Sequence, residues 1–230
     1  MMGYYIILGA FTLIGWLVSS RLKSKFNHYA KIPNSSGMNG YEVGMAMMRH
    51  YGITGVKIVE GRGSLTDHYN PTTKTVALSP EVYHGRSIAS AAVAAHEVGH
   101  VVQHATAYNM LTMRSRLVPV VMFSSSIQQL LFFGFIATMS VGSGVIGGWL
   151  IMVLAATFGV TALFSLVTLP VEFDASKRAL VWLDNSGVTR GSEYDGAKDA
   201  LWWAAMTYVA SALSALVMFL YFLLMATSRD

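Results

Sequence analysis

Four long apolar stretches constrain this chain more than any other feature. A helix that crosses a bilayer needs about 20 mostly apolar residues. The first stretch runs from Gly3 to Ser20 and the second from about Leu117 to Val141. The third runs from about Val145 to Leu169 and ends at Pro170, and the fourth runs from about Leu201 to Ala226. Of the 230 residues, 53% are hydrophobic and 12% are charged, about half the charged share of a soluble domain. That balance excludes a disordered chain and disfavours an ordinary soluble globule. The expected fold is mainly α, a polytopic membrane protein with about four transmembrane helices.

No basic residue precedes the first stretch, while Arg21, Lys23 and Lys25 follow it. A secretory signal has the opposite polarity, so the stretch reads as a retained anchor. The expected organisation is an anchor at 1–20, a polar region at 21–116, two transmembrane helices at 117–169, a polar segment at 170–200, and a last helix with the C-terminus at 201–230. Residues 21–116 hold 11 of the 16 Lys and Arg, and Lys177, Arg178, Arg190 and Lys198 lie in the second polar segment. Positive-inside asymmetry then places both polar regions in the cytoplasm and both termini outside. The net charge of +4 fits attraction to anionic lipid rather than nucleic-acid binding. Within the second stretch, Ser124, Ser125, Ser126, Gln128 and Gln129 read as bonds between packed helices, with the wall of a wet groove as the alternative. Gly144 and Gly148 form a GxxxG pair that implies close helix approach.

The first polar region reads as mixed α/β. Asn39 to His50 has Val43, Met47 and Met48 on one helical face, a capping pair in Asn39 and Glu42, and a C-terminal cap at Gly52. Val56 to Glu60 and Thr75 to Leu78 are strand candidates, and Asn70-Pro71 marks a turn. Ser79-Pro80-Glu81 can start a helix. Ser87 to Ala107 is rich in alanine and valine and reads as a helix.

That helix carries His96-Glu97-Val98-Gly99-His100. Residues four apart share a helical face, so both imidazoles can reach one ion while Glu97 sits beside its water. The chain has no cysteine, so a metal must be held by His, Asp or Glu. From the chain's own His and Glu content, chance supplies roughly 0.005 copies of HExxH, and a candidate edge strand precedes the motif. Neutral imidazole suits Zn²⁺, which would activate a water for attack on a peptide carbonyl. Glu97 is the candidate base, taking the water's proton and passing it to the leaving amine. The bland alternative is two structurally satisfied histidines with Glu97 at the surface. His104 extends the same face and reads as a supporting or surface residue.

An open catalytic site needs a third protein ligand. Glu172 leads on topology, because it follows the third stretch where the chain returns to the side of the HEVGH helix. Its bland reading is a Glu in the first turn of a helix beginning at Pro170. Asp174, Glu193, Asp184 and Asp67 are weaker rivals, and Asp174 better suits orienting an imidazole or a surface contact.

The HEVGH helix, with Pro170-Val171-Glu172-Phe173-Asp174-Ala175-Ser176 after two apolar stretches, resembles the membrane gluzincins such as the HtpX-like and CAAX prenyl endopeptidases. It is more similar to the YugP-type neutral zinc metallopeptidases, small four-span proteins of bacterial membranes. Leu65 to Pro71, Leu78 to Tyr83, Gly85-Arg86-Ser87 and Thr207 to Ala210 also carry this likeness. The resemblance implies zinc on His96, His100 and Glu172, with Glu97 as base. HtpX-like chains place an Asp four residues after the ligand Glu. Here that position is Ser176, so the supporting role of that Asp does not carry over directly. Gluzincins often stabilise the oxyanion with His or Tyr, and His68, Tyr69 and Tyr83 are candidates, although the first two also suit fixing the turn at Asn70-Pro71.

The expected function is therefore a zinc-dependent endopeptidase of the bacterial plasma membrane. Its small α/β zincin-like region would face the cytoplasm and act on membrane proteins or peptides. A non-catalytic metal-binding scaffold would have no use for Glu97. A site-two-type intramembrane protease would need an Asp-Gly motif on a later membrane helix, whereas Asp195-Gly196 is expected in a polar loop.

Overall fold

The structure is a computed structural model that describes residues 2–141 and 144–228, and the side chains of all these except 135–141 and 144–147. In chain order the elements are α1 (Met2–Tyr29), α2 (Gly40–His50), β1 (Lys57–Glu60), β2 (His68–Asn70), β3 (Thr75–Leu78), α3 (Pro80–Tyr83), α4 (Ile88–Ala105), α5 (Asn109–Val141), α6 (Gly144–Asn185) and α7 (Ser192–Thr227). The fold is mainly helical with one small sheet. Among the described residues, four helices are long and apolar enough to cross a membrane: Met2–Tyr29, Asn109–Gly134, Gly148–Asn185 and Ser192–Thr227. All four extend beyond the apolar stretches into their polar flanks, as α1 does from Arg21 to Tyr29, and α7 takes in Asp195-Gly196, which the sequence places in a loop.

The third apolar stretch does not end in a break at Pro170. Proline removes one backbone donor and crowds the carbonyl four residues earlier, yet α6 continues through it to Asn185. Glu172 thus lies within a long helix and not in the first turn of a new one. The chain divides here into two compact units, with Leu169 in one and Pro170 in the other.

The first unit comprises Val18–Thr112 and Pro170–Met206. Its α2 starts with a complete capping box between Asn39 and Glu42, and Gly52 just past its end has φ +64°, a conformation that favours glycine. Val43, Met47 and Met48 are all buried. They share one core with Val76 and Leu78 of β3, the alanines of α4, and Ala179 and Leu183 of α6. Strands β1 and β3 run parallel and β2 pairs antiparallel with β3, giving the order β1-β3-β2. Thr75–Leu78 is therefore the central strand rather than an edge. One edge is β2, which the sequence presents only as the approach to a turn. That turn is held by the Asn70 side-chain carbonyl, which accepts from the backbone N–H of Thr72 and Thr73 at 3.0 and 3.2 Å.

Helix α4 is capped by Ser87, whose hydroxyl accepts from Ser90 N–H. Its small residues let neighbours approach closely. At Gly99 an added Cβ would lie 2.6 Å from the Ala175 carbonyl oxygen of α6. Gly99→Ala should therefore push these helix segments apart, lowering stability by about 1–3 kcal/mol, the usual cost of overpacking. Thermal unfolding of the metal-free protein reads this directly, and an unchanged midpoint would contradict the contact.

The second unit comprises Met1–Leu17, Met113–Leu169 and Thr207–Asp230. Its core joins Leu150, Ile151, Leu154 and Ala155 of α6 to Met218 and Phe222 of α7, and Phe158 stacks on Phe222 at 5.2 Å. Of the polar residues in the second apolar stretch, buried Ser124 bonds across to the Thr157 carbonyl at 3.3 Å, whereas Ser125 and Ser126 bond back within α5. Gly148 has open space where a Cβ would be. Gly144 begins α6, and residues 142–143 and Arg229 lie outside what the structure describes.

Candidate metal centre

The HEVGH segment occupies the third and fourth turns of α4, so His96 and His100 project from one face one turn apart. Their rings meet edge to face with centroids 4.8 Å apart. Glu172 of α6 completes the group. Its Oε2 lies 3.4 Å from His96 Nε2 and 3.6 Å from His100 Nε2. One ligand-type atom from each residue falls within 4.8 Å of the others. Among the described residues, this is the group of His, Asp and Glu with metal-binding geometry.

The far edge of each imidazole is also held. His96 Nδ1 lies 3.1 Å from Ser176 Oγ, and His100 Nδ1 lies 3.0 Å from Gln103 Oε1. Gln103 Nε2 donates to the Val171 carbonyl at 2.7 Å and to Asp174 Oδ2 at 2.9 Å. The same Asp174 oxygen accepts from Arg178 Nε at 2.6 Å. The Arg178 guanidinium in turn lies over the Tyr108 ring, 5.8 Å from its centroid.

This donor set fits zinc. Metal-bound histidines typically use one ring nitrogen for the ion and hold the other with a hydrogen-bond partner. Here both Nδ1 atoms are engaged and both Nε2 atoms converge on one carboxylate. Burial opposes charge on His100, yet the neighbouring Glu172 carboxylate outweighs it and raises the imidazole above its ordinary range. Glu97 is buried on the same helix, and burial pushes its carboxyl above the usual range while the two imidazoles pull it back.

Most of the other candidates have partners of their own, and Asp67 lies near enough to Glu97 to help raise its carboxyl. Glu193 bonds to Ser35, and Asp184 is exposed. Asp67 accepts from the backbone N–H and hydroxyl of Ser79, and burial raises its carboxyl. His68 Nδ1 contacts the Thr66 carbonyl oxygen, and Tyr83 packs against Tyr41. Tyr69 reaches His104 Nδ1 with its hydroxyl at 2.8 Å, which makes His104 a partner of β2. Asp174 does not touch an imidazole, while Ser176 does. Gln103 stands out only in three dimensions, although its place three residues after His100 puts it near the same helical face.

The chain belongs to the family described as "Putative neutral zinc metallopeptidase", whose sequence model matches residues 4–227. Among curated proteins it is similar to the "Putative membrane protease YugP" of Bacillus subtilis (strain 168). The two are 41% identical over 225 residues, covering 97% of this chain and 96% of the relative. No solved structure matches the chain.

Proposed function

We propose that this protein is a zinc-dependent endopeptidase of the bacterial plasma membrane, with its site facing the cytoplasm and membrane proteins or peptides as substrates. The observation that carries this reading is the convergence of His96, His100 and Glu172, with buried Glu97 between the two histidines on the same helix. His96, His100 and Glu172 would hold the zinc. A zinc with an open position polarises a carbonyl and lowers the pKa of a water toward neutrality. Glu97 accepts the proton of the attacking water and returns it to the leaving nitrogen. Ser176 and Gln103 orient the two imidazoles. A scaffold with a structural metal would have no need of a carboxylate at Glu97.

The purified chain in detergent should cut casein at internal bonds, giving peptides with new termini by mass spectrometry. Release of terminal residues alone would make it an exopeptidase. The orientation rests on the Lys and Arg distribution. The natural chain lacks cysteine, so single cysteines at Ser64 and Ser228 can be probed on intact cells with an impermeant thiol reagent. Labelling is expected at Ser228 and not at Ser64, and the reverse pattern would overturn the topology.

A further inference from the structure

We propose that Gln103 is the positioning residue of the metal centre, a neutral relay through which Asp174 fixes His100 for ligation by Nε2. The proposal rests on the metal-centre reading above. Gln103 is fully buried, with 0% exposure. Its amide is held by two groups of α6, the Val171 carbonyl and the Asp174 carboxylate. Both partners only accept hydrogen bonds, so both must face the Gln103 NH₂ group. The opposite amide orientation would set its oxygen against two other acceptors. The oxygen must therefore point at His100, where it lies 3.0 Å from Nδ1.

A carbonyl oxygen cannot donate. His100 Nδ1 must then carry the hydrogen, which frees Nε2 as a ligand on the side where Glu172 and His96 converge. The usual device is a carboxylate placed directly on the imidazole. Here the carboxylate is one step removed, and Arg178 accompanies it through a 2.6 Å bond. His100 consequently meets a neutral acceptor, and a second bare negative charge is kept from the ring. His96 is treated alike, since the Ser176 hydroxyl, also neutral, lies 3.1 Å from its Nδ1. Both ligand histidines are thus oriented by uncharged groups, and Glu172 supplies the ligand charge.

The test is zinc affinity by chelator competition on the full-length protein in detergent, for wild type, Gln103→Leu and Gln103→Glu. Gln103→Leu keeps the bulk and removes the acceptor, and should weaken zinc binding about 10–100-fold. Gln103→Glu keeps the side-chain length and a carboxyl oxygen that can accept from His100 Nδ1–H. Gln103→Glu should therefore remain within about threefold of wild type. Proton NMR of the zinc-loaded wild type should show a His100 Nδ1–H resonance protected from exchange, absent in Gln103→Leu. A purely structural glutamine would lower the unfolding midpoint of the metal-free protein and leave zinc affinity and this resonance unmoved. Equal affinity in wild type and Gln103→Leu would remove the role of Gln103 while leaving the metal centre standing. So would Gln103→Glu falling as far as Gln103→Leu, or wild type lacking the protected proton. A wild-type protein that binds no zinc would overturn the metal centre itself and this role with it.

Discussion

Glu172→Ala should yield a protein that purifies without zinc and cleaves nothing. Two imidazoles alone make a poor zinc site, and the chain offers no thiolate to replace the carboxylate. Glu172 is 2% exposed and faces both histidines through one oxygen, so no water-exposed group can take its place without rearrangement. Its loss also releases a tie between α4 and α6. Zinc bound only to the folded state stabilises it by about 4 kcal/mol when free zinc exceeds the dissociation constant about 1,000-fold. The unfolding midpoint of wild type should therefore rise with added zinc, while that of Glu172→Ala should stay flat. Glu172→Gln controls for the lost volume and should behave the same, because a neutral amide is a far weaker zinc ligand. Stoichiometric zinc in purified Glu172→Ala would move the third ligand to another residue.

Glu97→Gln should keep both the zinc and the fold while losing peptidase activity. Glutamine has nearly the shape of glutamate but cannot take up the proton. A positioned base typically contributes about 10²–10⁴ in rate, so kcat should fall by that much with little change in KM. The residue is buried on α4 between the two histidines, which makes a change in zinc content unexpected. Activity within about threefold of wild type would mean that another group removes the proton.

The part of the site that reads directly from sequence is the part built by local geometry. His96 and His100 are four residues apart on a helix, so their shared face needs no knowledge of the rest of the chain. Glu172 is 72 residues beyond His100, and its approach follows only from the alternation of apolar stretches, which returns the chain to one side. The capping box of α2 and strand β3 are equally local. What escapes is what depends on partners far along the chain. The role of Gln103 comes from Val171 and Asp174, 68 and 71 residues away. Strand β2 is only three residues long and exists through its pairing with β3. The sequence marks only the turn at Asn70-Pro71 there, with His68 and Tyr69 read as fixing it. Pro170 misleads for a related reason. The local rule says that proline ends a helix, whereas the long apolar stretch before it and the packing of Val171, Ala175 and Ala179 after it keep α6 continuous.

The chain has, among its described residues, four helices long and apolar enough to cross a membrane, and it belongs to the family described as "Putative neutral zinc metallopeptidase". One zinc, held by His96, His100 and Glu172, is proposed to make it a peptidase. The most direct test is to follow zinc content and casein cleavage in the same purified wild-type sample, before chelation, after it, and after zinc is returned, with Glu97→Gln as the blank. Expected are about one zinc per chain, activity lost with the metal and regained with it, and a Glu97→Gln protein that reloads zinc but stays inactive. Cleavage that persists after the metal is gone, or that Glu97→Gln carries out equally well, would contradict this proposal.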